Sequence, residues 1–383
     1  MTAAPIDKTR VRTWIEVDTR ALAANYRLIR GLLPAGCRLM AVAKSNAYGH
    51  GIYDYVPSME RLGADWLGVD SIVEAATLRE IGVRKPILVL GYTLPARIGE
   101  AAGLDISLTV SSFDALEALG RSPHAGNVRI HVKIDTGLHR QGFFPHEVPE
   151  LVRVLKQSHP SLAVEGVFTH FAAAKDPDDP AYTRGQIKSF QEALAIFRSA
   201  GHTPIAHASA TAGVFLYPEA CFDMVRVGIG LFGLWPSPKM KAAFEGRTPL
   251  EPTLSWRTII SETKRLPQGA GIGYDLTENI ARDSLLGICP VGYWHGFPRA
   301  LSRKGNVLVN GRRTRVLGTV AMDMIVVDLT DVPGARAEDT VTLLGRDGKE
   351  EITAYEMAAA AGQSYYELLT RLNPLIQKYY LPG

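Results

Sequence analysis

The most constraining feature of this chain is an alternation between short apolar runs and longer segments of helical periodicity. The runs are rich in β-branched residues, which favour strands. Eight of them follow one another through the first two-thirds of the chain: Arg38–Ser45, Trp66–Ser71, Pro86–Tyr92, Ile106–Ser111, Val128–Thr136, Val164–His170, Pro204–Ser209 and Met224–Gly230. Largely apolar strands are typical of parallel sheets that are buried on both faces.

The segments between the runs carry Ala and Leu at three- and four-residue spacing, and several begin at Ser or Pro, as helices do. They include Ser71–Ile81, Phe113–Leu119, His146–Lys156 and Gly185–Ser199. Eight strands that are each followed by a helix describe a TIM (β/α)8 barrel, which is an α/β fold. We therefore predict such a barrel over residues 12–240.

The pattern changes after about residue 240, where alternation and turn signals dominate. The predicted strands are Leu254–Thr263, Leu286–Pro290, Asn306–Asn310, Arg313–Val320, Met324–Asp328 and Val341–Leu344. They predict a mostly antiparallel β-domain over residues 241–383, with one helix over Thr353–Ala361 that starts in a capping box. The early strand Val11–Val17 is a candidate to pair with this domain.

Composition excludes several classes of protein. The 42 basic and 39 acidic residues are spread along the chain, so a net charge of +3 provides no surface for nucleic acid. No window approaches the ~18 apolar residues of a membrane span, and Met1–Arg12 lacks the apolar core of a signal peptide. The three cysteines are too few and too far apart for a disulfide framework or a zinc site. We expect a cytoplasmic protein without a metal and without nucleic-acid or membrane partners.

Reactive side chains collect where the predicted strands end. Lys44, Arg140, His170, Thr211 and Arg226 all lie at or just after the C-terminal end of a strand. Barrel enzymes build their active sites on this face. The pattern therefore indicates an enzyme with its site at the C-terminal mouth of the barrel.

Lys44 ends the apolar run Leu39–Ala43 and is followed closely by Tyr48, Gly49 and Gly51. A desolvated lysine becomes a nucleophile towards carbonyls, including the aldehyde of pyridoxal 5'-phosphate (PLP). Taken alone, a lysine at a strand end is better interpreted as one that reaches out to water. The motifs that accompany Lys44 reverse this preference.

Over essentially its whole length the sequence resembles alanine racemase, a PLP enzyme built from a barrel and a C-terminal β-domain. The matching motifs are Ala41-Val-Ala-Lys-Ser-Asn-Ala-Tyr-Gly-His-Gly51, Lys133-Ile-Asp-Thr-Gly-Leu-His-Arg140, Gly166-Val-Phe-Thr-His-Phe171, Val225-Arg-Val-Gly-Ile229, Gly292-Tyr293 with Pro298-Arg299, and Met322-Asp323. The resemblance implies an isomerase that interconverts L- and D-alanine with PLP. Its product would feed peptidoglycan synthesis.

The resemblance also assigns the catalytic roles. Lys44 would bind PLP and act as the base on one face of the Cα, and Tyr274 as the base on the other face. Two bases are needed because one group cannot remove a proton and return it from the opposite side. A tyrosine, with an ordinary pKa of about 10, needs help near neutral pH. In the family this help comes from a histidine and an arginine, here His170 and Arg226.

Arg226 is the most diagnostic of these residues, because the resemblance places it against the pyridine nitrogen of PLP. An arginine keeps its own proton, so the ring stays a weak electron sink, which favours racemisation over transamination. The alternative is a surface salt bridge. The flanking residues Val225 and Val227 argue against that alternative.

The resemblance implies two binding regions and a shared active site. Phosphate would be bound by Tyr48, Thr211, Tyr366 and the backbone N–H groups of Gly228 and Ile229, since a small residue lets an anion approach the backbone. The substrate would be bound by Arg140, Met322 and Tyr293. Tyr274, Tyr293 and Met322 would come from a second subunit, which implies an obligate homodimer.

Lys133 matches a position that is carbamylated in some members of the family, and a strand lysine paired with Asp135 is an equal alternative. The histidines His50, His139, His202 and His207 are interpreted as structural. Departures from the family pattern concentrate near the substrate entrance and the subunit contact: Ala210, Asp275, Trp294, His295, Ala321 and Leu375-Ile-Gln-Lys378.

These departures leave other functions open. A serine or broad-specificity racemase of the same fold is the main alternative, because a pocket separates close analogues by only about 1–3 kcal/mol per methylene. A PLP decarboxylase of this architecture would need a glycine-triplet loop and a C-terminal cysteine motif that are missing here. A PLP carrier made of the barrel alone would have no need of Tyr274 as a second base.

Overall fold

The computed structural model describes residues 6–7 and 10–382. Residues 1–5, 8–9 and 383 lie outside the described part. The first seven of them fall in the segment 1–12, which we expect not to be a signal peptide, and residue 383 ends the predicted domain 241–383. The chain divides into two compact units. The first contains Ala21–Ala47 and Ile52–Pro252, and the second contains the described residues up to Arg20, Tyr48–Gly51 and the chain from Thr253 onward.

The first unit is built on a parallel sheet of eight strands in the order β8-β7-β6-β5-β4-β3-β2-β9. They are β2 Arg38–Val42, β3 Trp66–Val69, β4 Ile87–Val89, β5 Ser107–Val110, β6 Arg129–Lys133, β7 Ala163–Phe168, β8 Ile205–His207 and β9 Met224–Val227. The two ends of this order meet where Ala210 and Arg226 form a parallel bridge and the Arg226 N–H donates to the Ser209 carbonyl at 2.9 Å. The prediction of a TIM barrel is confirmed.

Helices alternate with these strands: α1 Thr19–Gly31, α2 Ile52–Leu62, α3 Ile72–Glu80, α4 Ile98–Gly103, α5 Phe113–Gly120, α6 Val148–Ser158, α7 Ala181–Ser199, α8 Thr211–Leu216 and α9 Pro238–Phe244. Serine side chains cap α3 and α5: Ser71 and Ser112 each accept an N–H from the first turn. Helix α7 starts four residues before the predicted Gly185, directly after Pro180. A proline suits a helix start, because the N–H groups of the first turn have no acceptor within the helix and its missing N–H therefore costs nothing.

Inside the barrel, the strands contribute a buried layer of large apolar side chains: Met40, Trp66, Leu88 and Met224. Such layers make the barrel a packed core and leave its C-terminal mouth for function. Among the described residues, no helix is long and apolar enough to cross a membrane.

The second unit is a mostly antiparallel sheet in the order β11-β14-β17-β16-β15-β18-β10-β1-β20, with β19 paired to β18 and a separate ribbon of β12 and β13. Its strands are β1 Thr13–Asp18, β10 Leu254–Ile259, β11 Glu262–Leu266, β12 Gly271–Ile272, β13 Glu278–Asn279, β14 Ser284–Cys289, β15 Asn306–Val309, β16 Arg312–Leu317, β17 Ile325–Asp328, β18 Thr340–Asp347, β19 Glu350–Ile352 and β20 Gln377–Leu381. Strand β1 pairs antiparallel with β10 and parallel with β20. Helices α10 Ala354–Ala361 and α11 Tyr365–Thr370 complete the unit.

The second unit differs from the sequence prediction in several details. It has a second helix, α11, and strands that were not predicted: β12, β13, β19 and β20. The predicted strand Leu254–Thr263 is two strands, β10 and β11, because its halves pair with different neighbours: β10 with β1 and β18, and β11 with β14. The capping box of α10 is half formed. Thr353 accepts the Glu356 N–H at 3.1 Å, whereas the Glu356 carboxylate pairs with Arg313.

Candidate active site

Arg226, on β9, lies inside the barrel and is only 4% exposed. Its guanidinium donates to the carbonyls of Thr169 (2.7 Å), His207 (2.9 Å) and Ala208 (3.0 Å), and to the Nδ1 atoms of His207 (2.9 Å) and His170 (3.2 Å). Burial lowers the pKa of Arg226 to about 9. That value is above neutral pH, so the group remains a cation. Arg226 is therefore a buried charge held by neutral acceptors, not part of a surface salt bridge.

His170 follows β7 and accepts the Arg226 hydrogen bond at Nδ1, so a neutral ring carries its proton on Nε2. Burial lowers the pKa of His170 to about 3, and the positive charges of Arg226, Arg140, Lys133 and Lys44 act in the same direction. His170 is thus neutral near pH 7. Cations from several strand ends surround it, and such a region suits an anionic ligand.

Lys133 ends β6 and is 4% exposed. Its Nζ donates to the Gln141 Oε1 at 3.3 Å. Burial is the largest cause that lowers the pKa of Lys133 to about 8, and the charges of Arg140 and Arg226 add to it. A substantial fraction of this amine is therefore neutral at slightly alkaline pH.

Pairing with Asp135 was one of the two interpretations of Lys133, and the two side chains do not form an ion pair. The Asp135 carboxylate instead accepts the N–H groups of Gly137 at 3.0 Å and of His139 at 2.9 Å. These bonds shape the loop that leads into the exposed Arg140. Asp135 thus serves the loop that carries the predicted carboxylate-binding arginine.

Lys44 follows β2, and its Nζ lies 3.2 Å from the Asp70 Oδ1. The next four residues, 45–48, have φ between 52° and 55° and form a left-handed turn. Side chains other than glycine rarely adopt this conformation, which costs roughly 1–2 kcal/mol per residue. Such strain persists only where surrounding contacts impose it, and it is found preferentially at functional sites.

The contacts that hold this turn come from two side chains. The Asn46 Oδ1 accepts the Ile52 N–H at 2.9 Å. The Glu74 carboxylate accepts the Ser45 N–H at 2.6 Å and also the N–H of Asp70 at 2.8 Å. Glu74 therefore connects the turn after β2 to the loop after β3.

The predicted phosphate ligands of the first unit lie near the end of β9. Strands β2 and β9 are neighbours in the barrel, so Lys44 and the Gly228–Ile229 backbone leave adjacent strand ends. Thr211 starts α8, is buried, and its Oγ1 accepts the Gly230 N–H at 3.3 Å. The structure thus brings Lys44, Thr211 and the Gly228–Ile229 segment to the same end of the barrel.

The other predicted phosphate ligands, Tyr48 and Tyr366, belong to the second unit, with ring centroids 6.3 Å apart. Tyr365 lies 4.8 Å from Tyr366 by the same measure. Burial raises the pKa of Tyr366, and the neighbouring tyrosines raise it further. The Tyr366 hydroxyl is therefore kept as a neutral donor. Beside these tyrosines, a Cβ on Gly49 would meet the Leu369 carbonyl oxygen at 2.1 Å, so this approach requires glycine.

Tyr274, Tyr293 and Met322 are exposed on the second unit, by 71%, 43% and 52%. The N–H of Tyr293 donates to the Ala321 carbonyl and that of Trp294 to the Met322 carbonyl, each at 3.0 Å. Two loops, around Tyr293 and Met322, are thus tied together.

Of the departures from the family pattern, His295 is buried and Trp294 is about half exposed. The His295 Nδ1 accepts the Gly292 N–H at 3.2 Å, and burial lowers the pKa of His295. Its ring meets that of Trp294 edge-on at 5.1 Å. His295 therefore organises the loop, while Trp294 is the side chain left at the surface.

Sequence reasoning missed a polar cluster below Arg226. It comprises His131 on β6 and Glu165 on β7, and it involves His207, which was interpreted only as structural. The available signal was a charged or titratable residue inside an otherwise apolar strand, as in Val164-Glu165-Gly166. Gln186 on α7 was also missed: its Nε2 donates to the His170 carbonyl at 3.4 Å.

The family relationship of the chain follows from three comparisons. Residues 17–236 match the model of the alanine racemase N-terminal domain, and residues 253–380 match that of the alanine racemase C-terminal domain. An alanine racemase of Symbiobacterium thermophilum is 43% identical over 376 residues, which cover 96% of this chain and 97% of the relative.

Solved structures agree. The alanine racemase of the D-cycloserine producer Streptomyces lavendulae has a TM-score of 0.88 and 36% identity, with 97% of this chain and 98% of that chain covered. The alanine racemase of Bartonella henselae, whose structure carries covalently bound pyridoxal phosphate, has a TM-score of 0.86 and 25% identity, with 97% of this chain and 100% of that chain covered. The chain therefore belongs to the alanine racemase family, as its sequence motifs predicted.

Proposed function

We propose that this chain interconverts L- and D-alanine with PLP, using Lys44 and Tyr274 as the two bases. The observation that carries the proposal is the state of Arg226: a buried cation that donates to carbonyl and imidazole acceptors and lies beside the neutral His170. A carboxylate at this position would stabilise a protonated pyridine nitrogen, whereas a guanidinium keeps its own proton and leaves that nitrogen unprotonated.

The residues present fit PLP. Lys44 offers an amine for the aldehyde, and the Gly228–Ile229 backbone with the buried Thr211 hydroxyl offers neutral donors for the phosphate. The cations around His170 suit the negative charges of cofactor and substrate. Bound PLP supplies the electron sink that makes the Cα proton of an amino acid removable.

The proton work falls to side chains of this protein. We assign to Lys44 Nζ the proton on one face of the Cα, and to Tyr274 Oη the proton on the other. Arg140 binds the substrate carboxylate, for which a guanidinium is well shaped. His170, with its proton on Nε2 and Arg226 at Nδ1, supports the tyrosine base.

We further propose that the enzyme is a homodimer in which Tyr274, Tyr293 and Met322 complete the partner's site. Their exposure on this chain supports the proposal. The test mixes two inactive variants, Lys44→Ala and Tyr274→Phe, under conditions that exchange subunits. About a quarter of wild-type activity is expected to return, because half of randomly assembled dimers are mixed and each holds one intact site. No recovery would mean that both bases come from one subunit.

The lowered pKa of Lys133 supports carbamylation, because carbon dioxide reacts with the neutral amine. A carbamate would turn this buried cation into an anion beside Arg140. Incubation with ¹³C-bicarbonate is expected to give a carbamate carbon signal that is lost in Lys133→Gln. A signal that persists in that variant would refute the assignment.

The activity itself is tested with purified, PLP-loaded protein and either L-alanine or L-serine, following the D-isomer by chiral chromatography. D-alanine is expected to form far faster than D-serine. Faster D-serine formation would favour the alternative racemase and make the exposed Trp294 the first candidate for specificity. No D-isomer from either substrate would refute the proposed activity.

The two-base assignment has its own test. Tyr274→Phe is expected to lower kcat at least a hundredfold, because general-base groups typically contribute 10²–10⁴-fold. Tyr53→Phe is the control, since Tyr53 is similarly exposed but lies on helix α2. Equal activity of Tyr274→Phe and the control would remove Tyr274 from the mechanism.

A further inference from the structure

A buried chain of hydrogen bonds leads away from Arg226 through the interior of the barrel. Arg226 Nη1 lies 2.9 Å from the His207 Nδ1, the His207 Nε2 lies 2.8 Å from the His131 Nδ1, and the His131 Nε2 lies 3.3 Å from the Glu165 carboxylate. Both imidazole rings are 0% exposed. The chain therefore connects the catalytic region to the beginning of strand β7 without passing through solvent.

The donor and acceptor properties of these groups allow only one direction for the hydrogen bonds, from Arg226 towards Glu165. A guanidinium only donates, so the His207 Nδ1 must accept and the His207 proton must be on Nε2. That proton points to the His131 Nδ1, which must then accept, so the His131 proton is also on Nε2. An ionised carboxylate only accepts, and Glu165 is the group that receives it. Each tautomer is thus determined by the two ends of the chain.

Both histidines are neutral in this arrangement. Burial lowers the pKa of His131 despite the nearby Glu165, and it lowers the pKa of His207 well below its ordinary value. Hydrogen bonds from His131 and Ser107 lower the pKa of Glu165 against the effect of burial. The acid is therefore ionised and the two rings are uncharged near neutral pH.

The backbone is arranged to bring Glu165 into the barrel. The register of β6 and β7 shifts between Ile130 and His131, so one extra residue of β7 is inserted at Glu165. Such bulges turn a side chain towards a different face of a sheet. Ser107 donates to the Glu165 carboxylate at 2.5 Å and Arg129 pairs with it at 3.1 Å, which fixes its position.

The rings are held equally firmly. Phe168 stacks on His207 with ring centroids 4.8 Å apart, and Trp66 meets His131 edge-on at 5.2 Å. A Cβ on Gly166 would lie 2.1 Å from the His131 Nδ1, so the ring occupies the place that a side chain would fill. Neither ring can turn over without displacing its neighbours.

We propose that Glu165 is a positioning residue for racemisation: its acceptor-only carboxylate fixes the tautomers of His131 and His207, and thereby keeps an acceptor facing Arg226. Without Glu165, the His131 Nε2–H has lost its acceptor and Arg226 alone opposes reversal of the hydrogen bonds. A reversed arrangement, in which an N–H of His207 opposes an N–H of Arg226, then becomes populated beside the original one. The proposal rests on the role assigned to Arg226 above, but its first test does not require activity.

The first test is nuclear magnetic resonance of protein with ¹⁵N-labelled histidine side chains, measured at pH 7.5 with and without PLP. In the wild type, His131 and His207 are each expected to carry a proton on Nε2 alone. In Glu165→Leu, both are expected to lose this single tautomer. A proton on the His207 Nδ1 of the wild type, or unchanged tautomers in the variant, would overturn the proposal even if the enzyme is a racemase.

Glu165→Gln is the second variant, which keeps the shape of the side chain if the leucine variant does not fold. Its amide can accept through oxygen or donate through nitrogen, so a mixture of the two chain directions is expected. A spectrum identical to that of the wild type would show that any acceptor suffices and that the carboxylate has no special part.

Kinetic measurements then test whether this series of hydrogen bonds affects catalysis. Glu165→Leu is expected to lower kcat about tenfold with little change in KM. Asp105→Asn is the matched control: Asp105 pairs with the same Arg129 but contacts neither histidine, and kcat should stay within twofold. In the double variant with His131→Phe, kcat should fall no further than in the more damaging single variant. Both substitutions interrupt the same series of hydrogen bonds. Losses that multiply would overturn the proposal.

Discussion

At the scale of single residues, the site depends on glycines whose lack of a side chain leaves room for a neighbouring group. Gly166 is one: its empty Cβ position is filled by the His131 ring. Gly166→Ala is expected to destabilise the protein by about 2 kcal/mol or more, because overpacking a rigid core forces ring and backbone to move. Unfolding in urea measures the change.

Gly185→Ala is the matched control for this prediction. Gly185 lies within helix α7, and no atom lies within 4 Å of an added Cβ. The same substitution there should stabilise the protein by roughly 0.5–1 kcal/mol, since alanine has the better helix propensity. A loss at Gly166 no larger than the effect at Gly185 would contradict the packing argument.

The left-handed turn after Lys44 provides a second prediction at this scale. Asn46 tolerates the conformation and accepts the Ile52 N–H. Asn46→Val loses that bond and adds a β-branched side chain, so a destabilisation of about 2–3 kcal/mol is expected. Asn46→Gly relieves the strain but not the lost bond, and should cost less. An equal cost in both variants would show that backbone strain contributes little.

At the scale of elements, Glu74 joins two functions. It completes the capping box of α3 with Ser71, and it accepts the Ser45 N–H of the left-handed turn. Glu74→Ala is therefore expected to cost about 1–2 kcal/mol, as loss of a cap does, and to weaken PLP binding. Glu80→Ala, at the exposed end of the same helix, should leave PLP affinity unchanged. Fluorescence titration of PLP compares the two.

The elements themselves were largely predictable. All eight barrel strands lie within or close to the predicted runs, because β-branched residues and turn signals are local properties of the chain. The division of Leu254–Thr263 was not predictable, since it depends on which distant strands pair with each half. The bulge at Glu165 was missed for the same reason: a register shift is a property of two strands, and one strand does not reveal it.

The site was predictable to the extent that it repeats family motifs. Lys44 and Arg226 were located by those motifs, and their positions at the end of the barrel agree with the expectation from strand ends. His131 and Glu165 carry no such motif. A sequence shows that they are unusual in an apolar strand but not which groups they meet across the barrel.

At the scale of the whole molecule, the buried histidines predict acid lability. Their pKa values are lowered on folding, so below pH 6.5 the unfolded chain binds protons that the folded chain does not. Stability should therefore fall as pH drops from 6.5, by up to about 1.4 kcal/mol per pH unit for each histidine. Above pH 6.5 this contribution vanishes.

Urea midpoints at pH 7.5, 6.0 and 5.0 measure this dependence. His131→Gln should show a shallower fall between pH 6.5 and 5 than the wild type. His146→Gln, which removes an exposed histidine, should leave the slope unchanged. Identical slopes in all three proteins would mean that the buried rings do not govern acid unfolding.

Arg226 also joins strands. Its backbone N–H and side chain bond to Ser209, Thr169, His207 and Ala208, all of them on or just after β7 and β8. Arg226, to which we assign the choice of reaction, is thus also a residue that connects β9 to the ends of β7 and β8 by hydrogen bonds. Replacing the Arg226 side chain removes its hydrogen bonds to the carbonyls of Thr169, His207 and Ala208. To obtain a transaminase from this scaffold, other residues must therefore first replace these hydrogen bonds between the strands, and only then can the arginine be substituted.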